Sequence, residues 1–170
     1  MPTLIDRHGR REDVWQALEG DVADAPQGAA LLVPLSRWLA HAPALRARAG
    51  RLGVLLEPSD DPAAIADDLQ TLALIAVRFP LFNDGRGYSI ARTLRQRYGW
   101  QGELRAVGDV LRDQLFYLSR CGFDSFALAD GEPADEAIAF FSTFSEAYQA
   151  ATDRGPLFAR REAAVVGADA

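Results

Sequence analysis

The sequence predicts an α/β fold: five strand–helix units forming a mainly parallel sheet, preceded by a short N-terminal arm. Three observations carry that reading. Five short, largely apolar runs recur along the chain: GAALLVPL (28–35), RLGVLLEP (51–58), LALIAVRF (72–79), GELRAVGD (102–109) and FDSFALAD (123–130). Segments of helical pattern separate them, and strands alternating with helices imply right-handed crossovers and parallel pairing. Most of the runs are apolar on both faces, as a sheet covered on both sides requires. Two architectures fit five such units, a partial (β/α) barrel and an open doubly wound sheet. Glu103 and Arg105 on one strand face, and Arg78 at the end of another, tilt the reading toward barrel-like curvature, because charges near strand ends can point into a barrel mouth.

The arm, residues 1–27, runs through TLI, the charged turn DRHGRRED, the segment VWQAL and the acidic EGDVADAPQ. Residues 28–170 read as a single α/β domain. The first run leads into SRWLAHAPALRARAG, helix-like but interrupted by Pro43, which lacks the N–H a helix interior needs. DDPAAIADDLQTL follows the second run, with Pro62 near a helix start behind aspartates. After the third run, Ile90, Leu94 and Tyr98 recur every fourth residue, and Gly99 supplies a C-cap. Leu111, Leu115 and Leu118 repeat the pattern before Gly122. The last segment, EPADEAIAFFSTFSEAYQAA, carries Phe140, Phe141, Phe144 and Tyr148, which read as helix core or as a partner-binding stripe. An open sheet or partial barrel leaves edges that need covering, so a homodimer is an expectation.

Composition excludes several classes. At 170 residues the chain is long enough to bury a core without metals or disulfides. Its formal net charge of −6 argues against a nucleic-acid surface. No apolar run approaches the ~20 residues that span a bilayer. The N-terminal stretch lacks a signal peptide's apolar centre, and the chain has one cysteine, Cys121, so the cytoplasm is expected. All 18 basic residues are arginine. Without lysine there is no Walker-type phosphate loop, no Schiff base and no pyridoxal-phosphate attachment.

The stretch from Phe79 to Gln114 packs six arginines, three aspartates, one glutamate and five glycines into 36 positions. In either architecture ligands bind at the carboxyl ends of the parallel strands. Glu57, Arg78, Asp109 and Asp130 end strands there, and the loop after the third strand adds Asn83, Asp84, Arg86, Tyr88 and Ser89. Guanidinium forks suit tetrahedral or planar oxyanions. The candidate oxyanion site is therefore Arg78, Asp84, Arg86, Ser89, Arg105 and Asp109. The competing reading is that the arginines pair with Asp84, Glu103 and Asp109 and lock adjacent loops together. DGRG is not a dinucleotide fingerprint, because Ile90 stands where the third glycine belongs.

Other chemistry has less support. His8 and His41, the two histidines, have no ligand-like spacing around them, so neither a metal site nor a Ser–His dyad is expected. Asp109 reads as a helix cap, and Asp113 as a solvated or Arg-paired position. Cys121, at a helix end, reads as buried and inert.

The segment FNDGRGYSIARTLRQRYGWQGELRAVGDVLRDQLFYLSRCGFDSF, residues 82–126, resembles the signature of a bacterial family labelled domain of unknown function 934. DGRGYS, LR, GELRA-GD, DQ and RCGFD occur in that order at compatible spacing. The matching residues are Asp84, Arg86, Ser89, Arg92, Arg95, Glu103, Arg105, Asp109, Asp113, Gln114, Arg120, Cys121 and Asp124. Such proteins are loosely labelled probable oxidoreductases, and their genes commonly lie beside those for assimilatory sulfite reductase. The resemblance thus implies an accessory role in sulfate assimilation, with the sulfite reductase haemoprotein or another enzyme of that route as partner. It brings no established catalytic residues. No nicotinamide fingerprint, cysteine pair or metal set supports the oxidoreductase label, and no cofactor is expected. The alternatives kept open are an enzyme or sensor that binds a small oxyanion, and a redox partner holding a flavin through backbone groups and arginines.

Overall fold

The computed structural model describes residues 2–142. Eight strands form one sheet: β1 (Leu4–Asp6), β2 (Gly9–Arg10), β3 (Trp15–Ala17), β4 (Ala30–Pro34), β5 (Leu52–Leu56), β6 (Leu74–Phe79), β7 (Glu103–Gly108) and β8 (Ser125–Ala127). Their order is β2-β1-β8-β7-β6-β5-β4-β3. Strands β3 to β8 run parallel in unbroken sequential order, and β1 pairs antiparallel with both β8 and β2.

That order decides between the two architectures. A doubly wound sheet needs a point where the strand order reverses, and none occurs here. When every right-handed crossover steps in the same direction, each connection returns over the same face. The sheet is a curled half-barrel, helices outside. All five predicted runs form strands, and the arm adds three more, so the molecule is not five simple strand–helix units.

Chain length enforces the curl. From β2 to β3 is seven strand spacings, about 33 Å along the sheet at ~4.8 Å each. Arg10 and Trp15 are five residues apart in sequence, a reach of at most about 18 Å. The two edges must therefore approach one another, and residues 11–14 cross the concave side between them. Contacts place that crossing: Asp13 meets Arg105, and a Cβ on Gly53 would lie 3.1 Å from the Trp15 ring. Both edges, β2 and β3, are two or three residues long, and very short edge strands limit pairing with other chains.

Four α-helices are described: α1 (Leu35–Ala47), α2 (Arg86–Arg92), α3 (Leu115–Arg120) and α4 (Ala134–Ala139). As expected from sequence, α1 is interrupted at Pro43: the helix kinks just before it, with His41 at the non-helical φ −130°, ψ 16°. The connection over Pro62–Thr71 is a 3-10 stretch, capped as expected by Asp61, whose carboxylate accepts from Ala63 N at 2.9 Å. Ten residues at the 3-10 rise cover about 20 Å, the length of a strand, where an α-helix would cover about 15 Å. Helix α2 continues into one π turn, Thr93–Arg97, which ends at Gly99 with φ +66°.

The main core lies between the convex sheet face and the helices. Leu31, Val33, Val54, Leu56, Ile75, Val77, Leu104, Ala106 and Phe126 face it from the strands. Trp38, Leu45, Ile65, Ile90, Leu94, Leu115 and Leu118 meet them. A buried carboxylate, Asp68, joins two of the covering elements: it accepts from Trp38 Nε1 at 2.6 Å and pairs with Arg46. Phe141 packs on Phe126 at 5.0 Å between ring centroids, in line with a core role, and Arg112 stacks over Phe140. Phe144 and Tyr148 lie outside the described residues. Among the described residues, no helix is long and apolar enough to cross a membrane.

Candidate functional site

Two regions hold the chemistry-bearing residues, one at each end of the sheet, and a buried ionic network lies between them. The network is built on β7. Glu103 and Arg105 project from its concave face, and Arg105 stands between Ala76 on β6 and Ser125 on β8. Two small neighbours leave room for a guanidinium, and Arg105 is only 3% exposed. Its Nη1 donates to Asp13 Oδ1 at 2.8 Å, and its Nη2 to Glu103 Oε1 at 3.0 Å. Ser125 donates to the same Glu103 oxygen at 2.6 Å, with Arg11 3.8 Å away. Burial pushes the Glu103 pKa up, but the hydrogen bonds from Ser125 and Arg105 and the charges of Arg105 and Arg11 outweigh it. The result is a pKa below the ordinary value.

At the carboxyl ends of the strands, the candidate residues pair locally. Arg78 donates to Glu57 at 2.8 Å, across from β6 to the end of β5. Arg86 grips Asp84 with two guanidinium nitrogens, at 2.9 and 2.6 Å. The side-chain hydrogen bond from Arg86 is the main reason the Asp84 pKa lies below its ordinary value. Asp109 does not cap a helix, as its position suggested. Its carboxylate accepts from Phe82 N at 2.9 Å, because Gly108 turns the chain back over the end of β6. Gln114 completes the clamp by donating to Phe82 O at 2.6 Å. Ser89 is exposed on α2, with its carbonyl accepting from Thr93 Oγ1. Arg78, Asp84, Arg86 and Asp109 thus share the carboxyl edge with Ser89, while Arg105 sits below it, inside the curl. Asp113 is exposed in the turn before α3. Cys121 is buried, and burial raises its pKa despite the nearby charges of Arg92 and Arg120.

A further cavity lies at the opposite, amino end. A cleft of about 680 Å³ lies between the β1–β2 turn, the end of the π turn and the loop that enters β8. Asp6, Arg7, His8 and Arg11 line one wall; Arg95, Gln96, Gln101, Ser119 and Asp124 line the other. Arg95 is the keystone of the second wall. It donates to the carbonyls of Gly122, Trp100 and Gly102 and to Asp124 Oδ2, at 2.6–3.0 Å. Asp124 also accepts from Leu104 N at 2.8 Å, fixing the start of β7.

Sequence reasoning found the family of charged residues but missed the arm's part in the site. Asp13 lies 92 residues from Arg105, and no local pattern joins them. The available signal was negative: a charged residue within a buried strand needs a partner from somewhere.

Among the described residues, no group of three His, Cys, Asp or Glu side chains gathers as a metal site would require. A comparison with curated proteins finds no match. The family model described as "Bacterial protein of unknown function (DUF934)" matches residues 53–158, which include β5 apart from Leu52, β6 to β8, Arg95, the β7 ion-pair residues and the RCGFD segment. Matched over more than half its length, the chain belongs to that family.

Proposed function

We propose that this protein is a non-catalytic accessory of assimilatory sulfate and sulfite reduction, working in the cytoplasm with the sulfite reductase haemoprotein. The observation that carries this reading is how the signature residues are used. Asp109, Gln114, Arg95 and Asp124 bind main chain or one another across loops, and Arg86 holds Asp84 within one loop. Side chains committed in this way shape a surface. Nucleophilic or acid–base catalysis needs a group left in reach of a reacting atom, with a second group to activate it. The family resemblance supplies the metabolic context.

A second reading has the carboxyl edge holding a small oxyanion. Arg78 and Arg86 are part-exposed there, and each would exchange its carboxylate partner for the ligand. That exchange favours doubly charged anions over singly charged ones.

Deletion of the gene tests the first reading. Growth should fail or slow on sulfate and on sulfite and be normal on cysteine, and the protein should co-purify with the haemoprotein. Normal growth on all three sulfur sources would overturn the assignment. Visible absorption of the natively purified protein separates the flavin alternative, since a yellow protein points to a bound flavin.

A further inference from the structure

We infer that the amino-end cleft is a binding site for a small polar ligand bearing a tetrahedral oxyanion, of the phosphate or sulfate class. It is distinct from the carboxyl edge. Both carboxylates of the cleft are already satisfied. Asp6 Oδ1 accepts from His8 N at 2.7 Å and Gly9 N at 3.0 Å, and Asp124 is held by Arg95 and Leu104 N. The cations are not matched in the same way. Among the described residues Arg7 makes no side-chain ion pair, and Arg11 pairs with Asp6 and Glu103 at 3.8 Å, close enough for charge attraction but beyond hydrogen-bond distance.

The cleft lining thus sets three arginines against two aspartates, a formal excess of one positive charge that Arg7 carries, on a protein whose net charge is −6. Fields from distant acidic residues are screened over about 8–10 Å in physiological salt, so the local sign governs what enters. A guanidinium fork pairs bidentately with a tetrahedral oxyanion. The rest of the lining fits the remainder of such a ligand. Gln96 offers an amide that both donates and accepts, and Gln101, whose amide nitrogen donates to Gly99 O at 3.1 Å, adds a carbonyl acceptor, which suits hydroxyl or amide groups. A volume of about 680 Å³ exceeds that of a bare inorganic anion and falls within the range of ~300–1,000 Å³ typical of small-molecule sites. The wall is also rigid: Arg95 ties three carbonyls and a carboxylate into one unit, so the far side is shaped before any ligand arrives.

Isothermal titration with inorganic phosphate and, separately, inorganic sulfate at low chloride tests the inference on the full chain. Arg7 is exposed and makes no ion pair with a described residue, so Arg7→Gln should leave the fold intact, and an unchanged melting temperature verifies this. Wild type should bind at least one of the two anions, the stronger naming the preferred class. Arg7→Gln should weaken that binding by at least about fivefold, in keeping with the loss of one charge-assisted contact. The Arg7-dependent binding should persist in Arg86→Gln, at the carboxyl edge. A smaller loss in Arg7→Gln, or no saturable binding of either anion below about 10 mM, overturns the inference. Loss confined to Arg86→Gln would also overturn it, by moving the anion to the carboxyl edge. Neither outcome bears on the growth phenotype of the deletion.

Discussion

Replacing Arg105 by methionine isolates what the buried network contributes. Methionine keeps much of the side chain's length and apolar volume, so the packing between Ala76 and Ser125 is largely retained and the charge is the main loss. Glu103, 14% exposed, would then lose its closest cation, and Asp13, 46% exposed, would turn to water at little cost. Removing one member of a buried pair costs about 3–5 kcal/mol. The Ser125 hydroxyl still donates to Glu103, and Arg11 remains 3.8 Å away, which places the expected cost at the lower end, about 3 kcal/mol. For a chain of this size each kcal/mol shifts the melting temperature by about 2–4 °C, so a fall of about 6–12 °C should follow. Urea denaturation read by circular dichroism gives the free energy from the midpoint, provided the slope is unchanged. The double variant with Glu103→Gln should recover part of the loss, with a coupling energy of at least about 1 kcal/mol. A loss below about 1 kcal/mol in Arg105→Met, with no coupling to Glu103, would refute the reasoning. Growth on sulfate separates stability from function: a well-folded Arg105→Met protein that fails to support growth assigns Arg105 a direct role.

Three further outcomes are expected. Glu103 has a lowered folded-state pKa, so its contribution is complete above the ordinary value of 4.5 and is lost as pH falls through the folded value; acid unfolding should be steeper in wild type than in Glu103→Gln, and equal slopes would contradict this. Gly108→Ala should cost more than about 2 kcal/mol, because φ is +101° and the new Cβ would lie 2.3 Å from Phe79 O. Gly99→Ala, at φ +66° with open space around it, should cost only about 1 kcal/mol; denaturant midpoints for the two variants must differ in that order. Cys121 is buried with a raised pKa, so Ellman's reagent should modify it slowly in the native protein and rapidly in urea; equal rates would show the thiol to be accessible.

Local pattern alone determined a good deal about this protein. Five apolar runs became β4 to β8, and the fourfold spacing of Ile90, Leu94 and Tyr98 became a helix, because the periodicity of burial is written into consecutive residues. Competition between local choices decided other details. Asp109 had the composition of a helix cap, but Gly108 turns its carboxylate back to Phe82 N. The strand order, and with it the half-barrel, was decided only in three dimensions. It depends on which edges meet, and pairing free energy is nearly indifferent to where in the chain a strand comes from. The arm shows this most plainly: residues 4–17 pair with both ends of the sheet, and Asp13 crosses 92 positions of sequence to neutralise Arg105. The cleft is a product of the same closure. Arg7, His8 and Arg11 face Arg95 and Asp124 because the β1–β2 hairpin docks beside β8, and no spacing rule relates those positions along the chain.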